Sequence, residues 1–153
     1  MRSPPAPARR RQLDDIAEAL PQRASTLARL FLRRTSICVS RTEVGVLRAL
    51  SARPQRITEL AACEGVTQPA ITLLVNRLED RGWVARGADP ADRRAVLVTL
   101  TDAGRDVFDT LRAEYRALLH EEMATLDDGE VETLARAIDV LDELIERLRG
   151  RDA

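Results

Sequence analysis

Lysine is absent from this sequence, histidine occurs once, cysteine twice, and aromatic side chains make up only 3% of it. Each scarcity closes off a class of protein. Cys38 and Cys63 form no CxxC pair, so neither a disulfide framework nor a thiolate metal site is expected. With His120 as the lone imidazole, a histidine-rich metal centre has no ligands to draw on. No apolar run approaches the roughly 20 residues of a membrane-spanning helix. The opening MRSPPAPARRR carries charge with no apolar stretch behind it, so no secretory signal is read. The expected location is the cytoplasm. Nor is there a nucleophile–base pair, a phosphate-cradling glycine loop or a metal-ligand spacing. The chain reads as no enzyme and as needing no cofactor.

What is present is apolar mass in Leu, Ala and Val. Of 153 residues 44% are hydrophobic and 32% charged, enough for one soluble, mainly helical domain with a real core. The net charge of −1 conceals a polarity. Residues 33–105 hold twelve arginines against eight acids, whereas residues 106–153 hold six against fourteen. The basic part could face a polyanion while the acidic part faces away. Every cation is arginine, whose planar fork suits phosphate and guanine. An arginine-rich, GC-rich coding bias explains the same fact, so it decides nothing alone.

Residues 1–11 read as a disordered basic tail, with Pro4, Pro5 and Pro7 before Arg9–Arg11. A helix is expected over Leu13–Arg34, kinked or divided at Pro21. SRTE at Ser40–Glu43 is a capping box for a helix that stops before Pro54. ITELAACEGV gives a short helix from Thr58 to a stop at Gly65. TQPAITLLVNRLEDRG gives another, with Thr67 as N-cap and Gly82 as its glycine stop. The two form a helix-turn-helix. On the second helix Ile71, Leu74, Val75 and Leu78 step i, i+3, i+4, i+7 and must face inward. Pro69, Thr72, Leu73, Asn76 and Arg77 then project outward, a face able to read base edges. After Gly82 the period changes: Trp83–Gly87, a turn at 88–93, and Arg94–Leu100 make an antiparallel hairpin. Thr101 caps the next helix. Asp127 and Glu130 form a capping box for the last, where Val131, Leu134, Ile138, Leu141, Ile145 and Leu148 step as a heptad seam. Cys38, within an apolar ICV run, is expected to be a small buried hydrophobe and Cys63 to be partly exposed. His120 is expected at the surface, and Trp83 should anchor the hairpin to the core.

A helix-turn-helix followed at once by a hairpin is the layout of a winged helix. At this point the sequence resembles the MarR family, multiple antibiotic resistance regulators, over about residues 12–149. The residues that carry the resemblance are ELA at 59–61, TQPAITLLVNRLEDRGWV at 67–84, DPADRRAVLVTLTDAGR at 89–105, and the flanking helices. It implies a winged helix-turn-helix at 40–100 and a helical dimerisation region at 12–35 and 102–149. It implies a homodimeric, sequence-specific transcriptional regulator on double-stranded DNA. The simplest form is a repressor on a pseudo-palindromic operator, released by a small-molecule effector. Arg94 would enter a minor groove, where a guanidinium meets concentrated negative potential. Asp92 would brace the wing by pairing with a basic group, and Arg93 is the second arginine of the tip. The DNA-facing set is completed by Ser40, Arg41, Thr58, Thr67, Gln68 and Ala70. Leu13, Ile16 and Leu20 would join the heptad seam in the dimer. Leu73 departs from the family pattern, which often has arginine there; it can meet a thymine methyl but cannot fork onto guanine. A non-specific architectural DNA binder is the alternative reading.

Overall fold

The computed structural model describes residues 7–89 and 95–151. Helix α1 spans Pro7–Leu32 and α2 Arg41–Ala52, and α3 over Ile57–Glu64 opens the helix-turn-helix. Helix α4 spans Gln68–Asp80, α5 Asp102–Met123 and α6 Asp128–Arg149. Strands β1 (Gln55–Arg56), β2 (Val84–Ala88) and β3 (Val96–Leu100) form one antiparallel sheet in the order β1-β3-β2. The chain forms two compact units, residues 1–113 and 114–153.

The core lies in the first unit. It gathers Val46, Leu47 and Leu50 of α2, Leu60 of α3, the Ile71, Leu74, Val75 and Leu78 stripe of α4, Val84 and Val98 of the sheet, and Phe108 and Leu111 of α5. The inward set expected for α4 is therefore the buried one. Ser40 caps α2: its Oγ accepts from the Glu43 N–H at 3.2 Å, and Glu43 Oε2 accepts from the Ser40 N–H at 2.6 Å. Asp127 and Glu130 make the same exchange at the start of α6. Gly65 closes α3 with φ of 63°, a left-handed conformation that a side chain would strain.

Four features differ from the expectations. Helix α1 begins at Pro7 rather than at Leu13, so the helix takes in Arg9–Arg11 from the segment read as a disordered tail. A proline at the first helical position supplies its fixed φ and loses no bond, and arginine is a good helix former. The same helix runs through Pro21 without division; one absent N–H does not end a helix of 26 residues. The third strand, β1, was not expected at all. It pairs Gln55 with Val98 and Arg56 with Leu97. Cys38 is exposed, not buried. The segment Ile37–Val39 is not helical, and its alternation turns Ile37 and Val39 toward the core and Cys38 outward.

In the second unit, α6 has no buried residue. Val131, Leu134, Ile138, Ile145 and Leu148 are 43–59% exposed, and Leu141 is half-buried. Among the described residues, no helix is long and apolar enough to cross a membrane.

Candidate nucleic-acid interface

Burying one stripe of α4 fixes what the other side offers. Gln68, Pro69, Ala70, Leu73, Asn76 and Arg77 are exposed and Thr72 is half-exposed. Leu73 is 65% exposed, an apolar side chain held in water at the centre of this face. The Thr72 hydroxyl donates to the Gln68 carbonyl at 2.9 Å, which leaves its oxygen lone pairs and its methyl for a partner. Arg77 makes no ion pair among the described residues, so its guanidinium is available. Thr67 is the N-cap residue, although its side chain makes no capping bond. With Pro69 in the first turn, the N–H groups left open at this helix end favour an anion.

The hairpin stands beside α4, and three contacts fix it. Arg86 of β2 donates from Nη2 to Asn76 Oδ1 at 2.6 Å and from Nη1 to Glu79 Oε2. Arg56 of β1 donates from Nε and Nη2 to Asp89 Oδ2, at 3.0 and 2.6 Å. The Asp89 N–H, in turn, donates to the Ala95 carbonyl at 3.0 Å and continues the ladder past the last strand pair. Asp89 is 7% exposed and the Arg56 side chain 41%, so water screens the pair from the arginine side only. At the other end of the hairpin, the Thr101 hydroxyl donates to the Gly82 carbonyl and accepts from the Gly104 N–H, at 2.6 and 3.0 Å. Trp83 packs against the core, with the Arg81 guanidinium 4.9 Å from its ring centre.

Asp92, Arg93 and Arg94 lie outside the described residues, so the brace expected of Asp92 and the groove contact expected of Arg94 stand as sequence readings. The brace that the described residues do contain, Arg56 to Asp89, was missed by sequence reasoning. Its partners are 33 positions apart, and nothing local joins them. Arg86 was missed likewise.

Ser40 and Arg41 open α2, as expected. The Ser40 hydroxyl is used as a cap, and Arg41 is exposed within the field of Glu64. Burial pushes the Glu64 carboxyl above its ordinary value, against the pull of Arg48 and Arg41. Thr58 is exposed in the first turn of α3. In that turn Glu59 accepts from the Arg56 N–H at 2.7 Å; this bond, with the Arg53 guanidinium, holds its carboxyl below the usual range. The buried Glu43 pairs with Arg81 at 3.6 Å, tying the start of α2 to the end of α4. No group of three or more metal-ligating side chains occurs among the described residues.

Comparison with known proteins agrees with this arrangement. A sequence profile of the MarR family matches residues 39–95. An uncharacterized HTH-type transcriptional regulator of Mycobacterium bovis is 33% identical over 87 residues, 57% of this chain and 61% of the relative. The match thus spans about three fifths of that protein's length. Among solved structures, a probable transcriptional regulator from Pseudomonas aeruginosa is 31% identical, with a TM-score of 0.64 over 84% of this chain and 98% of that one. Wild-type MarR from E. coli, in its apo form, is 27% identical with a TM-score of 0.68, over 84% and 96%. The molecule is a winged helix-turn-helix regulator by class. The chain belongs to the MarR family.

Proposed function

We propose that the chain is a homodimeric, sequence-specific DNA-binding repressor acting on a pseudo-palindromic operator in the cytoplasm. The observation that carries this reading is the exposed face of α4: Thr72, Leu73, Asn76 and Arg77 on one side of a helix whose other side is the core. A helix so mounted offers donors, acceptors and an apolar contact to the major groove, while its amino terminus meets a phosphate. Arg93 and Arg94, which follow β2 and precede β3 in the sequence, we assign to the adjoining minor groove. Ser40, Arg41, Thr58, Thr67, Gln68, Pro69 and Ala70 are the remaining members of the proposed surface. The apolar stripe of α6, together with Leu13, Ile16 and Leu20 of α1, would be covered by a second copy. Leu13 and Ile16 are 49% and 51% exposed and Leu20 is half-buried. Release by a small effector is the part implied by the family alone.

The test is an anisotropy titration of the full-length chain at one fixed salt concentration, on a selected palindrome and on random duplex. A regulator binds the palindrome roughly a thousandfold or more tightly. Affinity that ignores sequence would favour the architectural reading instead.

A further inference from the structure

Asn76 stands on the exposed face of α4, yet its carboxamide is not free to turn. Arg86 Nη2 meets Asn76 Oδ1 at 2.6 Å. Arg86 is itself fixed, because Nη1 donates to Glu79 Oε2 and its backbone N–H donates to Glu79 Oε1 at 3.3 Å. Asn76 and Glu79 are three positions apart and so neighbours on one helix face, a span that a planar guanidinium covers. A guanidinium has only N–H donors, so the atom of Asn76 that meets it must be the carbonyl oxygen. The opposite edge of the carboxamide is the amide NH2, and it has no partner among the described residues.

We propose that Arg86 is a positioning residue for base selection: it turns Asn76 so that α4 presents an amide donor to a keto base, guanine or thymine, in preference to adenine or cytosine. The inference rests on the reading of α4 as the DNA-facing helix. An unconstrained asparagine recognises adenine by accepting from its N6 amine while donating to N7. Oδ1 keeps a second lone pair, but the Arg86 bond holds that oxygen toward β2 and turns the accepting edge away from a bidentate pair with adenine. The NH2 edge can still donate to adenine N7, but it meets the N6 amine of adenine and the N4 amine of cytosine donor against donor. Guanine O6 and N7 and thymine O4 all accept. Glu79 neutralises Arg86, which makes Arg86 a weak phosphate ligand and leaves orientation as its contribution.

The experiment takes duplexes selected by the full-length chain, substitutes each half-site position in turn, and measures competition binding for wild type, Arg86→Met and Glu79→Gln, with thermal melts to verify folding. For wild type, one position per half-site should tolerate exchange between guanine and thymine and lose on the order of tenfold with adenine or cytosine. Arg86→Met frees the carboxamide, so the adenine penalty at that position should disappear while the profile elsewhere stays as it was. Glu79→Gln loosens Arg86 and should shift the same position in the same direction; it carries the test if Arg86→Met does not fold. An even loss of affinity at every position, with the keto preference intact in both variants, would overturn the role of Arg86. A wild-type preference for adenine at that position would overturn it as well. A wild-type chain that binds all duplexes alike would overturn the DNA-facing reading of α4 and this inference with it.

Discussion

Position 104, in the first turn of α5, has no room for a side chain. Gly104 is buried, and a Cβ there would overlap the Trp83 carbonyl oxygen, which already accepts from the Thr101 N–H at 3.1 Å. The obstacle is backbone, held in place by the hairpin, so it cannot swing away. Gly104→Ala should therefore cost about 1–3 kcal/mol, the usual range for overpacking, and lower the denaturant midpoint accordingly. At this scale the sequence was legible wherever the chemistry is local. Ser40 with Glu43 and Asp127 with Glu130 are readable three residues apart, and both pairs form. Arg86 with Asn76 and Arg56 with Asp89 bring together separate elements, and no spacing rule announces them. Cys38 was misread because an apolar neighbourhood in sequence does not say which way an extended residue points.

Helices on the buried side of the wing were the easiest elements to read, since Ile71, Leu74, Val75 and Leu78 repeat at the helical period. Strand β1 was invisible for the opposite reason: two residues after Pro54 have no period to detect, and their pairing with Val98 and Leu97 is long-range. Two carboxylates of α3 give that element opposite responses to pH. The folded state lowers the pKa of Glu59 from 4.5. Its contribution to stability is complete above that value and is lost as the pH falls through the lowered one. Glu64 is raised from 4.5 in the folded state, chiefly by burial. Its contribution is complete below 4.5 and is lost as the pH climbs through the raised value. Glu59→Gln should thus lower the melting temperature near neutral pH. Glu64→Gln should raise it there, since the carboxylate no longer has to be charged beside Gly45. Both differences should shrink when the melts are repeated well below pH 4.5.

For the whole molecule, the informative surface is apolar rather than charged. The heptad steps from Val131 to Leu148 were legible as a seam, but what covers a seam is not written in the chain that carries it. In this chain Ile138 is 58% exposed. Ile138→Glu should accordingly leave the protomer's fold intact, with an unchanged helical circular dichroism signal. In a dimer the same carboxylate would be buried without a partner, a cost of several kcal/mol for each ion. Sedimentation at micromolar concentration should then show a dimer for wild type and a monomer for the variant. A variant that stays dimeric would mean that the seam of α6 is not the interface. The segregation of charge, basic over 33–105 and acidic over 106–153, fits a molecule that turns its first unit toward a polyanion.

Selection of bound sequences from a random duplex pool by the full-length chain tests the central claim most directly. Two recognition helices related by a two-fold axis should enrich a palindrome whose half-sites are about 10–10.5 base pairs apart, centre to centre, or a multiple of that spacing. A pool that emerges with no enriched motif, or with a single unpaired half-site, would contradict a paired reader built on α4.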